Sequence, residues 1–146
     1  MSHRMVGRRA CAALAFVFCG SGVAIAADIK GAAILDHPCG KTAVKQMGLV
    51  HAGKMDEANK LSTKEMQAQW QKMPAKDREM MTGMMKQMSS SEQEFASDIK
   101  SNGVLSIDGQ NATLNVKKTT KDKNGSSTST MTQRFKMEGS QCLVTQ

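Results

Sequence analysis

The sequence predicts an α+β fold, with N-terminal helices packed on a C-terminal four-stranded antiparallel sheet. Three observations carry that expectation. Apolar residues recur at helical spacing as far as Asn102, and from Val104 onward they alternate with polar ones at a period of two. Turn signals at Asp108-Gly109, Asn124-Gly125 and Gly139-Ser140 then cut the second part into hairpins.

Residues Met1 to Ala26 read as a cleavable export signal. Arg4, Arg8 and Arg9 form a basic start, and the run from Ala10 to Val23 is apolar apart from Cys19, Gly20, Ser21 and Gly22. Ala24-Ile25-Ala26 supplies the small residues of a cleavage site. The apolar run is shorter than the roughly 20 residues of a membrane-spanning helix and is broken by Gly20-Ser21-Gly22, so a retained anchor is not expected. Phe18 before Cys19 argues against lipid attachment, and Ala10-Cys11-Ala12 after Arg8-Arg9 does not fit a twin-arginine signal. The expected product is a single α+β domain over residues 27–146 in an oxidising compartment, periplasmic or secreted.

After an extended lead-in at Asp28 to Leu35, Asp36-His37-Pro38 marks a helix start, with Pro38 at the first helical position. That helix should run to about Ala52 and stop at Gly53, with Val44, Met47 and Val50 on its apolar stripe and Leu49 widening it. Met55 to Leu61 reads as a short second helix. Ser62-Thr63-Lys64-Glu65 is a capping-box pattern opening a third, whose Met66, Trp70 and Met73 share a face before Pro74 breaks it. A fourth helix from Ala75 to Met88 has Asp77 and Glu79 near its start, where carboxylates suit the helix dipole. Its Met80, Met81, Met84, Met85 and Met88 form one broad stripe. Ser91 to Glu94 repeats the capping-box pattern ahead of a helix with Phe95 and Ile99, ending at Asn102-Gly103.

The strands follow. Leu105 and Ile107 precede the Asp108-Gly109 turn, after which Ala112, Leu114 and Val116 point one way. Lys121 to Ser127 reads as a polar turn. Met131, Phe135 and Met137 then alternate with Thr132, Arg134 and Lys136, and Gln141 to Thr145 forms the last strand with Cys142 and Val144 facing together.

Three segments resemble the nuclear transport factor 2-like (SnoaL-type, cystatin-like) superfamily, which includes small bacterial envelope proteins. They are the step His51-Ala52-Gly53-Lys54-Met55-Asp56-Glu57-Ala58, Trp70 near the close of the third helix, and the hairpin Gly103 to Val116. The resemblance implies a curved sheet with helices closing a cone-shaped cavity. It carries over no catalytic residue, and Gln141-Cys142-Leu143 stands where such proteins often have a tryptophan.

Composition narrows the function. Without the three signal arginines the net charge falls from +7 to +4, and there is one tryptophan and no tyrosine, so the stacking platform of a nucleic-acid binder is missing. Cys39 and Cys142, the two cysteines beyond the signal, should form a disulfide joining the first helix to the last strand. No nucleophile elbow, zinc-protease or phosphate-loop pattern occurs, and although Asp98 or Asp108 with a histidine is a conceivable proton-transfer pair, nothing singles one out. A non-catalytic binding domain, monomeric or homodimeric, is therefore expected.

Eleven of the thirteen methionines follow residue 26, five of them between Met80 and Met88. Met81, Met84, Met85, Met88 and Trp70 are the candidate surface for an apolar ligand or envelope protein, since methionine is unbranched and adapts to varied partners. Met-for-core packing is the plainer account of the same stripe. As an alternative, Met81, Met84, Met85 and Met88 can bind copper as Cu(I), with His51 or His37 adding imidazole if the fold brings one near. His37 is otherwise read as an exposed helix-entry residue and His51 as a last-turn residue suited to the helix dipole. A further alternative is an inhibitor of, or immunity protein against, an envelope-acting enzyme.

Overall fold

The computed structural model describes residues 26–122 and 125–146, with no account of side chains from 121 to 124. The expected export signal up to Ile25 lies outside them, as does Asn124 of the expected turn. The chain runs β1 (Ala27–Lys30), a 3-10 turn (Gly31–Asp36), α1 (Pro38–His51), α2 (Met55–Asn59), α3 (Lys64–Lys72), α4 (Ala75–Met88), α5 (Glu92–Asn102), β2 (Gly103–Asp108), β3 (Asn111–Asp122), β4 (Gly125–Glu138) and β5 (Gln141–Thr145).

The sheet has five strands, not four. All pairs are antiparallel and neighbours in space are neighbours in number throughout; β1 adds to β2 across the helical segment that separates them in sequence, with Ile29 opposite Leu105. The expected lead-in thus divides into a strand and a 3-10 turn. Four residues are too few to display an alternation, and what makes Ala27–Lys30 a strand is the free edge of β2, whose paired residues lie 74 to 80 positions further along the chain. On the outer face Ser106 donates to the Asp28 carboxylate at 2.6 Å.

The core lies between the inner face of this sheet and helices α1 and α5. Leu105, Ala112, Leu114, Val116, Phe135, Cys142 and Val144 come from alternate strand positions, and Ile34, Cys39, Ala43, Phe95 and Ile99 meet them from above. The 3-10 turn lies directly on the start of α1: a Cβ on Gly40 would run into the carbonyl of Ile34. Gly53, with φ of 75°, ends α1 as its position predicts. The disulfide joins Cys39 to Cys142 with their Cα atoms 4.9 Å apart, fastening the first turn of α1 to β5.

Helix starts differ in their chemistry. At α5 the expected capping box is complete, with Glu94 N–H bonded to Ser91 Oγ and Ser91 N–H to the Glu94 carboxylate. At α3 the expected box from Ser62 to Glu65 does not form, because the cap residue is Thr63. Leu61 to Thr63 is instead drawn onto β5: Val144 N–H donates to Leu61 O and Thr63 N–H to Val144 O, both at 2.9 Å. Ser62 is buried there, and buried backbone amides must be paired before side chains are free to cap. The expected turn at Lys121 to Ser127 is likewise overridden, since β3 and β4 stay paired as far as Asp122 and Gly125.

Candidate functional site

Helices α3 and α4 bury no residue completely, yet both are long enough to carry an apolar face. Together with α1, α2, the middle of β4 and the end of β5 they enclose a groove of about 890 Å³. Val50, Ala58, Ser62 and Val144, all buried, form its floor.

Its walls are methionine. Met47 comes from α1, Met55 from α2, Met66 from α3, Met73 from the end of α3, Met81, Met85 and Met88 from α4, and Met131 from β4, with Trp70 among them. Eight of the eleven methionines after residue 26 therefore line one groove. The buried core contains none. Fully buried positions are taken by Ile, Leu, Val, Phe, Ala and Cys, while Met47, Met66, Met131 and Met137 are partly buried and pack against that core, so methionine sits at the boundary between the core and the groove.

The five-methionine stripe on α4 is split. Met81, Met85 and Met88 face the groove, whereas Met80 and Met84 do not line it and are 68% and 52% exposed. Around the helix Met80 and Met84 stand about 100° and about 60° from Met81, on one flank of the groove-facing residues. Of the five candidate surface residues, the structure thus gathers Met81, Met85, Met88 and Trp70, and leaves Met84 outside. Met85 and Met88 remain 39% and 81% exposed, at the open side of the groove.

A small polar chain crosses the floor. Gln133 Nε2 donates to Gln46 Oε1, and Gln46 Nε2 to Ser62 Oγ at 3.4 Å. Gln133 Oε1 is then a buried acceptor with no partner, and exchanging the amide atoms would only leave a donor there instead. Such an orphan inside a groove suits a hydrogen-bonding group on a ligand. Trp70 is anchored by its indole N–H, which donates to Asp56 Oδ1 at 2.7 Å, and it also borders a smaller polar depression with Lys60, Gln67 and Arg78.

The histidines separate. His37 is half-buried rather than exposed: it caps α1, its Nδ1 accepting from Cys39 N–H at 3.2 Å, and burial holds its pKa below the usual value. His51, at the other end of α1, lies 3.2 Å from the carbonyl of Ser89, just past α4. Asp98 pairs with Lys118 at 4.0 Å, Asp108 is exposed beside the β2–β3 turn, and neither lines the groove. Among the described residues no three of His, Cys, Asp and Glu gather as a metal site, and no helix is long and apolar enough to cross a membrane.

Reading the sequence element by element missed Met47, Met55, Met131, Gln46 and Gln133 as site residues. The available signal was that methionine stands on the apolar face of every helix before Ser91. No protein-family model, curated protein or solved structure matches the chain.

Proposed function

We propose that this protein is an exported, non-catalytic binding domain that holds a small apolar ligand carrying a hydrogen-bonding group in the methionine-lined groove. The observation that carries this is the distribution of methionine: eight line the groove and none is fully buried. A volume of about 890 Å³ falls in the range of pockets for small molecules, roughly 300–1,000 Å³. Unbranched thioether side chains adjust to ligand shape at low cost, and the unpaired Oε1 of Gln133 lies beneath the groove as one fixed polar group. The disulfide and the signal-like first 26 residues support export to the periplasm or beyond, with Ala27 as the first residue after cleavage. The resemblance to the nuclear transport factor 2-like superfamily, with a cone-shaped cavity under helices, belongs to the same reading.

Trp70, the chain's single tryptophan, sits in the groove wall and reports occupancy directly. Titration with apolar amides and alcohols bearing a brominated chain should quench its emission saturably. Met85→Glu, at a half-open position, should weaken that binding about tenfold or more, since an unpaired charge is costly against an apolar ligand. No saturable quenching by any of these probes overturns the proposal.

A further inference from the structure

We infer that the α4 side of this groove is a Cu(I) site, with the thioethers of Met81, Met85 and Met88 as donors and the imidazole Nε2 of His51, an exposed residue outside the groove lining but bonded to Ser89 within it, as a fourth donor from the rim. The inference rests on the groove as described and assigns it a second kind of occupant. Met81, Met85 and Met88 occupy positions i, i+4 and i+7 on the groove face of α4, about 6 Å and then about 4.5 Å apart along the axis. Flexible methionine side chains span such steps, and thioether sulfur with imidazole nitrogen is a donor set that suits Cu(I) rather than Mg²⁺ or Ca²⁺.

His51 supplies an independent observation. Its Nδ1 lies 3.2 Å from the carbonyl oxygen of Ser89, an atom that can only accept, so the ring proton sits on Nδ1. That leaves the lone pair on Nε2, the arrangement metal-ligating histidines adopt when a backbone carbonyl orients them. The same bond ties His51 to the residue that follows Met88. Met85 and Met88 lie in the last turn of α4, where the negative end of the helix dipole favours a cation, and their exposure gives an ion a way in.

The test uses the full chain with Cys11→Ser and Cys19→Ser, which removes the two thiols outside the described residues, titrated anaerobically with Cu(I) acetonitrile against a chromogenic Cu(I) chelator. One equivalent should bind, and M81L/M85L/M88L should lower the affinity about 100-fold, with His51→Ala lowering it about tenfold. Leucine preserves volume and apolarity, so the far-UV circular dichroism and the urea midpoint of the triple variant should match the parent's, which separates loss of the donors from loss of the fold. In the parent chain labelled at methionine methyls, Ag(I) as a stand-in should shift the signals of Met81, Met85 and Met88 and leave Met137 in place. Absence of stoichiometric Cu(I) binding, an affinity unchanged in the triple variant, or Ag(I) shifts spread over all methionines each overturns the site. Cu(I) binding without quenching by any apolar probe overturns only the ligand reading.

Discussion

The bond between Cys39 and Cys142 closes a loop of 103 positions, and in the chain-entropy account a loop of that length restricts the unfolded chain by about 4.7 kcal/mol at most. Cys39→Ser with Cys142→Ser should therefore lower unfolding free energy by about 2–4 kcal/mol in urea titrations. Gly40 is a second single-residue constraint. Gly40→Ala pushes a methyl against the Ile34 carbonyl and should cost about 1–3 kcal/mol by the same measurement. His37 makes a pH-dependent contribution, because only the neutral ring can accept the Cys39 N–H, and burial lowers its folded-state pKa. A lowered folded pKa means that the unfolded chain takes up the proton first. The contribution is complete above the ordinary value of 6.5 and is lost as pH falls through the lowered one. Between pH 7 and pH 5 the urea midpoint of the parent should drop more than that of His37→Asn, which keeps a capping acceptor that does not titrate.

At the scale of elements, α5 is the best-terminated helix, since Ser91 and Glu94 satisfy each other's amides. Ser91→Ala should cost about 1 kcal/mol in stability. Hydrogen bonds from the Ser91 backbone and side chain hold the Glu94 carboxyl below its usual range, so this cap is whole above that range and fails as pH falls through the lowered value. Helix α4 behaves differently. Met80→Lys and Met84→Lys on its flank outside the groove should change stability by less than about 0.5 kcal/mol and leave probe binding intact, because both side chains are more than half exposed and neither lines the groove. The β3–β4 ribbon extends past its neighbours: β2 pairs with β3 no further than Val116, and β5 ends opposite Arg134. Amide protection from exchange should fall along β3 beyond Val116, where only one neighbouring strand remains.

For the whole molecule, the division of labour among apolar residues is the informative result. Branched and aromatic residues with few rotamers fill the contact between α1, α5 and the sheet, and pliable methionines collect where α3 and α4 stand off from it. The periodicities alone mark α4, α5 and β5 at or within a residue of their ends, because each is bounded by local chemistry: Pro74 before α4, the Ser91 cap before α5, Gly139-Ser140 before β5. They locate the disulfide as well, since only two cysteines follow residue 26. They do not show β1, whose strand state depends on a partner far along the chain, nor the lost cap at Ser62, which β5 recruits. Local patterns also make Met80 through Met88 one stripe, whereas two faces of a helix become distinct only when something lies against one of them.

What the sequence by itself determined is thus the order of helices before strands, the inward and outward alternation of the sheet, and the cysteine pair. These follow from hydrogen bonding and burial over a few neighbouring residues. Tertiary structure alone decided that methionines from four helices and a strand meet in one groove, that Met84 is left out, and that His51 rather than His37 stands beside α4. Their positions depend on how α3 and α4 pack across the molecule, and no local periodicity encodes the distance between residues 47 and 131.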